Sequence, residues 1–249
     1  MTTIIDRCLA LYGSDDYFVP YPARVAGGEY WDEKRDPDGR LRDIASEREM
    51  RKADLAYIAE AVNARAPGRV VDIGCGLGEL LEQIDPRHER IGLDPSEKAV
   101  ETAAERSGAA TVRGVLEPGR FEPASCDAFV AHHVIEHVDD PVAFVRLVHE
   151  ALRPGGLFVV GTPNFASAAA RLFGERFRLL HDPTHVSLFT DDSLMRLLRD
   201  SGFRIASVEY PFFGTRFATL EAWERMQAPD SGVSPAFWGS FVTVFAEKR

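Results

Sequence analysis

The run Val70-Val71-Asp72-Ile73-Gly74-Cys75-Gly76-Leu77-Gly78-Glu79 constrains this chain more than any other segment. A short apolar strand ends in a carboxylate and then in a turn with glycine at alternate positions. The pattern predicts a helix over Leu80-Leu81-Glu82-Gln83-Ile84 directly after it. Bare glycine backbone lets a ligand come within contact distance, and the first turn of a helix offers unpaired N–H groups to a negative group. Twenty residues after Gly74 a second strand, Arg90-Ile91-Gly92-Leu93, ends in Asp94. In a βαβ unit that carboxylate reaches the crevice beside the first turn, where it can accept both hydroxyls of a ribose. The ligand implied is a nucleoside with a charged tail.

Glycine turns also serve tight turning and close helix packing, so Asp94 at this spacing is what points to a ligand. The pattern is G-x-G-x-G, with Glu79 where a dinucleotide fingerprint carries its third glycine. A pyrophosphate would meet that carboxylate unfavourably, which disfavours a nicotinamide dehydrogenase. Asp72 suits a ligand bearing a cationic amine.

These residues resemble the first motif of the class I S-adenosylmethionine-dependent methyltransferases. The resemblance implies S-adenosyl-L-methionine as cofactor, with Asp72, Gly74, Cys75, Gly76 and Gly78 at its methionine end and Asp94 on the ribose beside Pro95 and Ser96. It places Val115 and Leu116 next to adenine, although many relatives carry an acid where Val115 stands. Cys126-Asp127-Ala128-Phe129-Val130-Ala131-His132-His133-Val134-Ile135-Glu136-His137 is similar to the fourth strand and following loop of the subgroup that includes the ubiquinone-pathway O-methyltransferases, and adds His132 to the cofactor set. Leu152-Arg153-Pro154-Gly155-Gly156 resembles that subgroup's next motif, although as an ordinary helix-to-strand turn it carries no chemistry.

The rest of the chain alternates helix and strand signals. Ser46-Glu47-Arg48-Glu49 reads as a capping box ahead of Met50, Ala53, Tyr57 and Ala61 at helical spacing. Ser96 caps a helix ending near Gly108, Asp140-Pro141 opens one over 142–152, and Thr190 caps one over 191–201. Strands are expected at 157–161, 204–210 and 241–246. Seven such strands argue an α/β, doubly wound, Rossmann-like sheet. The resemblance adds the strand order 3-2-1-4-5-7-6 with the last strand antiparallel. Residues 1–45, with Tyr12, Tyr17, Phe18, Tyr21, Tyr30 and Trp31, read as an N-terminal arm or lid. Residues 46–249 read as the methyltransferase domain, with cap insertions at about 165–190 and 211–238.

The net charge of −10 gives a polyanion such as duplex DNA little electrostatic help, so no nucleic-acid partner is expected. Three scattered cysteines without C-x-x-C spacing fit a reducing compartment and no structural zinc. No apolar run reaches a membrane span, so a cytoplasmic monomer or homodimer with no membrane partner is expected.

Five of seven histidines fall in two places, His132, His133 and His137, then His181 and His185. Both places lie where connections cross the carboxyl ends of central strands. Methyl transfer needs an in-line approach and removal of the acceptor's proton, a task that suits histidine. His185 is the first candidate base, followed by His133 and His137, each of which also reads as a hydrogen-bonded loop brace. In relatives that use a metal, E-x-x-E-H plus a later histidine binds a divalent cation. Here the run is His133-x-x-Glu136-His137 with Thr184-His185, so a metal at His133, Glu136, His137 and His185 is the less favoured reading. The expected reaction is O-methylation of a small hydroxylated acceptor such as a sugar, sugar nucleotide or phenolic metabolite, with Trp31, Phe213 and Phe217 as candidate walls. Carbon or nitrogen methylation, an RNA or protein substrate, and a non-catalytic cofactor-binding module are the alternatives.

Overall fold

The computed structural model describes residues 33–35, 41–43 and 47–249, apart from 183 and 231. Most of the expected N-terminal arm, including its aromatics and Trp31, lies outside the described residues. What is described there is a short antiparallel hairpin, Glu33–Arg35 with Leu41–Asp43.

The main sheet holds β1 (Arg69–Ile73), β2 (Glu89–Asp94), β3 (Ala110–Arg113), β4 (Cys126–His132), β5 (Leu152–Pro163), β6 (Phe203–Glu209) and β7 (Phe241–Lys248). Their order is 3-2-1-4-5-7-6, with β1 to β5 parallel and β7 antiparallel to both β5 and β6. This is the architecture expected from the sequence.

Side chains alternate across the central strands, and both faces are buried, which explains the near-continuous apolar runs. Val71, Ile73, Phe129, Ala131, Phe158 and Val160 share one core with α3 (Pro141–Ala151) and α5 (Asp191–Asp200). Val70, Ala128, Val130, Leu157 and Val159 pack with Phe245 against Ile58, Ala59 and Val62 of α1 (Arg48–Asn63). The caps act as expected: Ser96 accepts from Ala99 N–H to open α2 (Glu97–Ser107), Asp140 accepts from Ala143 N–H, and Thr190 makes a capping box with Ser193.

Three local expectations need correction. Residues 79–84 form successive turns rather than a helix, with isolated bonds such as Glu82 N–H to Gly78 O and Ile84 N–H to Leu80 O. Helix α1 has Glu47 at its N-cap without a side-chain cap bond, the Glu47 carboxylate pairing with Arg216 at 2.8 Å, and Ser46 of the expected capping box lies outside the described residues. Its buried stripe is Ile58, Ala59 and Val62, while Met50 and Ala53 are exposed. Finally, 153–156 is the irregular start of β5, where the register against β4 shifts between Cys126 and Ala128.

Two connections cross the carboxyl ends of the parallel strands. One carries α4 (Ala168–Phe173) and single 3-10 turns at Gly174–Arg176 and Arg178–Leu180; the other carries α6 (Leu220–Gln227). No described helix is long and apolar enough to cross a membrane.

Candidate active site

A cavity of about 350 Å³ opens over the tips of β1 and β4. Asp72, Gly74, Cys75 and Gly76 form its floor, and His132, His133, Glu136 and His137 form one side. Arg178, Asp182, His185, Thr215, Arg216, Phe217 and Phe241 stand opposite.

The floor is a turn tied down by main chain. Gly74 and Cys75 N–H both donate to Leu93 O, at 2.7 and 3.1 Å, and Gly78 N–H donates to Cys75 O at 3.0 Å. Gly74 has φ +70°, and a Cβ there would meet Val134 Cγ2 at 2.5 Å, so only glycine fits between the turn and the 133–138 loop. Asp94 is buried and holds this turn to β2: Oδ2 accepts Gly76 N–H at 3.1 Å and Oδ1 accepts Ser96 N–H at 2.9 Å. Burial nonetheless raises its pKa above the ordinary carboxylate value. Asp72 is raised much further, first by burial and then by the Asp94 and Glu79 charges beside it. Burial likewise pushes the Cys75 thiol up.

The histidine side is built on a sharp local conformation. His132 lies so close over Gly161 that a Cβ there would meet its ring at 2.4 Å. His133 then adopts φ +58°, a left-handed conformation that costs a non-glycine residue roughly 1 kcal/mol or more. Two bonds hold it: His133 N–H donates to Gly161 O at 2.9 Å, and Nδ1 lies 2.9 Å from Glu136 Oε1. The ring packs edge-on against His132 and Phe241.

Glu136 is fully buried and also accepts the Thr162 hydroxyl at 3.1 Å. Burial would raise its pKa, but the His133 bond and the nearby charges of His133, His137 and His185 bring it down to about 2. The carboxylate is therefore ionised, which makes His133 Nδ1 the donor; in the neutral ring it is then Nε2 that carries the lone pair.

His137 and His185 are used differently. Nδ1 of His137 donates to Thr184 O at 2.9 Å, and Nδ1 of His185 donates to Leu179 O at 2.8 Å. The His137 bond, with Val186 N–H and Ser187 N–H both donating to Glu136 O at 2.9 Å, fastens the 178–187 segment onto the 133–138 loop, while the His185 bond braces that segment internally. Burial lowers His137 to about 4 and His132 to about 3. The His185 side chain is 7% exposed, with Nε2 3.8 Å from Asp182 Oδ2, whereas that of His133 is 35% exposed to the cavity. One donor atom from each of Glu136, His137 and His185 lies within 4.8 Å of the others, so three of the four candidate metal ligands converge and His133 stands aside from them.

The predicted residues therefore divide. Asp72, Gly74, Cys75, Gly76, His132, His133, His137 and His185 share the cavity, as does Phe217. Gly78, Asp94, Pro95, Val115 and Leu116 are not among its walls; Val115 is exposed in the loop after β3 and Leu116 packs on the core.

Sequence reasoning missed Arg51, Asp54 and Arg216. Arg51 is paired with Glu79 of the glycine turn, and Asp54, one helical turn along α1, pairs with Arg216 at 3.1 Å. The i, i+3 spacing of Arg51 and Asp54 on the helix before β1 was the available signal, and Arg216 carried none.

A methyltransferase domain model matches residues 44–208. The chain belongs to the methyltransferase domain family. Among its relatives, a probable S-adenosylmethionine-dependent methyltransferase of Mycolicibacterium smegmatis is 34% identical over 70% of this chain and 66% of its own. A ubiquinone biosynthesis O-methyltransferase of Cereibacter sphaeroides is 31% identical over 73% of this chain and 82% of its own. Of some other relatives the chain spans less, for example 59% of the Ruegeria pomeroyi ubiquinone biosynthesis O-methyltransferase. The fold of this methyltransferase domain also matches a geranyl diphosphate C-methyltransferase of Streptomyces coelicolor, with a TM-score of 0.62 over 93% of this chain and all of that one, at 14% identity. S-adenosylmethionine is the family's cofactor, and the strand tips fit it. A cluster of buried acids, Asp72 with Glu79 and Asp94, is relieved by a cationic group, and the glycine turn offers bare main chain beside the Arg51–Glu79 pair.

Proposed function

We propose that this methyltransferase domain carries a methyl group from S-adenosylmethionine to a hydroxyl of a small acceptor such as a sugar or phenol, with His133 as the base. When bound, the cofactor supplies a methyl group on positively charged sulfur, and the electrons of the broken S–C bond stay on sulfur. Asp72 and the turn at Gly74 and Gly76 hold the charged end, and Asp94 takes the ribose. His133 Nε2 receives the hydroxyl proton, while Glu136, charged and buried, keeps the ring in the required tautomer and stabilises it once protonated. Phe217 and Phe241, 5.5 Å apart, limit water beside the reacting oxygen.

The observation that carries this reading is the His133–Glu136 pair, facing a cavity whose floor is the cofactor turn. It moves the first choice of base from His185 to His133, because His185 spends Nδ1 on Leu179 O and is nearly buried. Release of S-adenosylhomocysteine against a panel of glycosides and phenols tests it: wild type should turn over, and His133→Asn should do so at least about 100-fold more slowly.

A second reading rests on the convergence of Glu136, His137 and His185. With both Nδ1 atoms donating to carbonyls, these residues fit as Nε2, Nε2 and carboxylate ligands of a transition ion, which would supply Lewis-acid activation of the same hydroxyl. Turnover that survives exhaustive chelation favours the His133 reading; turnover lost to chelator and restored by zinc or manganese favours the metal.

A further inference from the structure

We propose that the acceptor is an extended, uncharged glycoside whose reacting ring enters the cavity while a second ring rests on Phe213 at the rim. This rests on the methyltransferase reading above and names its acceptor class. Pro211 and Thr215 both line the cavity, and Phe213 sits between them at the tip of a turn. That turn is fixed: Thr215 N–H and Oγ1 both donate to Phe212 O, at 3.1 and 2.6 Å, and Gly214 takes φ +82°. The Phe213 ring is 82% exposed, yet it stands on buried Phe212 at 5.2 Å, which in turn packs on Phe237 at 5.0 Å. Phe237 also supports Trp223 at 5.8 Å, which is 56% exposed. Two outward aromatic rings therefore stand on a packed pair, buried Phe212 and half-buried Phe237, beside the cavity-lining Pro211 and Thr215.

Rings this exposed contribute little to folding, so their burial remains available to a ligand. The cavity, about 350 Å³, is at the small end of ligand sites, and the methionine end of the cofactor must share it. An acceptor of more than one ring must therefore extend across the rim. The C–H face of a pyranose is apolar and packs on an aromatic ring while its hydroxyls stay hydrated. Charge favours a neutral acceptor: two of the three cavity arginines are met by acids, Arg51 by Glu79 and Arg216 by both Glu47 and Asp54, and Asp182 lines the same wall as Arg178, in a chain of net charge −10. Asp54 and Asp182 line the acceptor side and suit hydroxyl donors.

The probes are neutral methyl glycosides of one, two and three sugars, with catechol and 4-alkylcatechols as an apolar-tail arm, read by S-adenosylhomocysteine release. Phe213→Ala should keep the wild-type melting temperature and the wild-type rate on monosaccharides. On di- and trisaccharides it should raise KM about tenfold with kcat nearly constant, and Phe213→Trp should restore it. An equal effect on short and long glycosides overturns the proposal, as does a loss confined to alkylcatechols. Wild type that binds S-adenosylmethionine but turns over no acceptor of any class overturns this proposal together with the reading it rests on.

Discussion

His133 and Glu136 form a buried acid–imidazole pair, Nδ1 to Oε1 at 2.9 Å, at the tip of the fourth strand. Asparagine at 133 tolerates the left-handed backbone and keeps an amide donor for Glu136, so His133→Asn separates chemistry from folding. It should lower kcat by about 10²- to 10⁴-fold while S-adenosylmethionine affinity by calorimetry stays near wild type. Glu136→Gln should lower kcat with little change in acceptor KM, as expected of a positioning residue.

His185→Ala should behave in the opposite way. Its ring braces the 178–187 segment from within through Leu179 O, so the expected loss is about 1–2 kcal/mol of stability, with kcat changed far less than in His133→Asn. A kcat loss as large as that of His133→Asn would return the base to His185.

Asp72 sits beside two other acids with its charge disfavoured by burial. Asp72→Asn should raise the melting temperature by a few degrees, equivalent to about 1 kcal/mol, and weaken cofactor binding. Thermal unfolding with and without S-adenosylmethionine reads both at once, since the ligand-induced shift should shrink.

Asp94→Ala should weaken cofactor binding at least about tenfold and also cost about 1–3 kcal/mol, because buried Gly76 N–H and Ser96 N–H lose their acceptor. Calorimetry giving wild-type affinity would remove Asp94 from the ribose.

Stability should fall on acidification from about pH 6.5. His137 is depressed to about 4 in the fold, so the unfolded chain takes up its proton first, and the fold loses stability as pH falls from 6.5 towards 4. The size is about 3 kcal/mol for a shift of this extent. His132, depressed to about 3, acts in the same direction. Glu136 adds a second loss between about 4.5 and 2, as its folded-state carboxylate is finally protonated. Denaturant midpoints between pH 7 and pH 4 should decline in wild type and decline less in His137→Gln.

The sheet was legible because its determinants are local. Apolar runs of strand length, N-caps at Ser96, Asp140 and Thr190, and the acid ending each of the first two strands are written residue by residue. The region 79–84 misled because Leu80, Leu81 and Ile84 are apolar for reasons of burial beneath the turn, not of helical period. Position along the chain brought the histidines to one mouth but could not rank them. The ranking depends on the partner of each Nδ1 and on exposure: Thr184 lies on a connection distant from His137, and the burial of His185 against the opening of His133 to the cavity comes from packing that no local pattern shows. Arg51 and Arg216 escaped for the same reason: each partner sits on an element remote in sequence.

The antiparallel placement of β7 between β5 and β6 has a practical consequence. Phe213 and Phe217 belong to a connection joining two strands that already pair with each other along their length. Such a connection can be lengthened, trimmed or exchanged at small entropic cost, because sheet register does not depend on it. Residues 210–240 are therefore an exchangeable segment as far as the sheet is concerned, provided that a replacement keeps a cation where Arg216 meets Glu47 and Asp54 of α1.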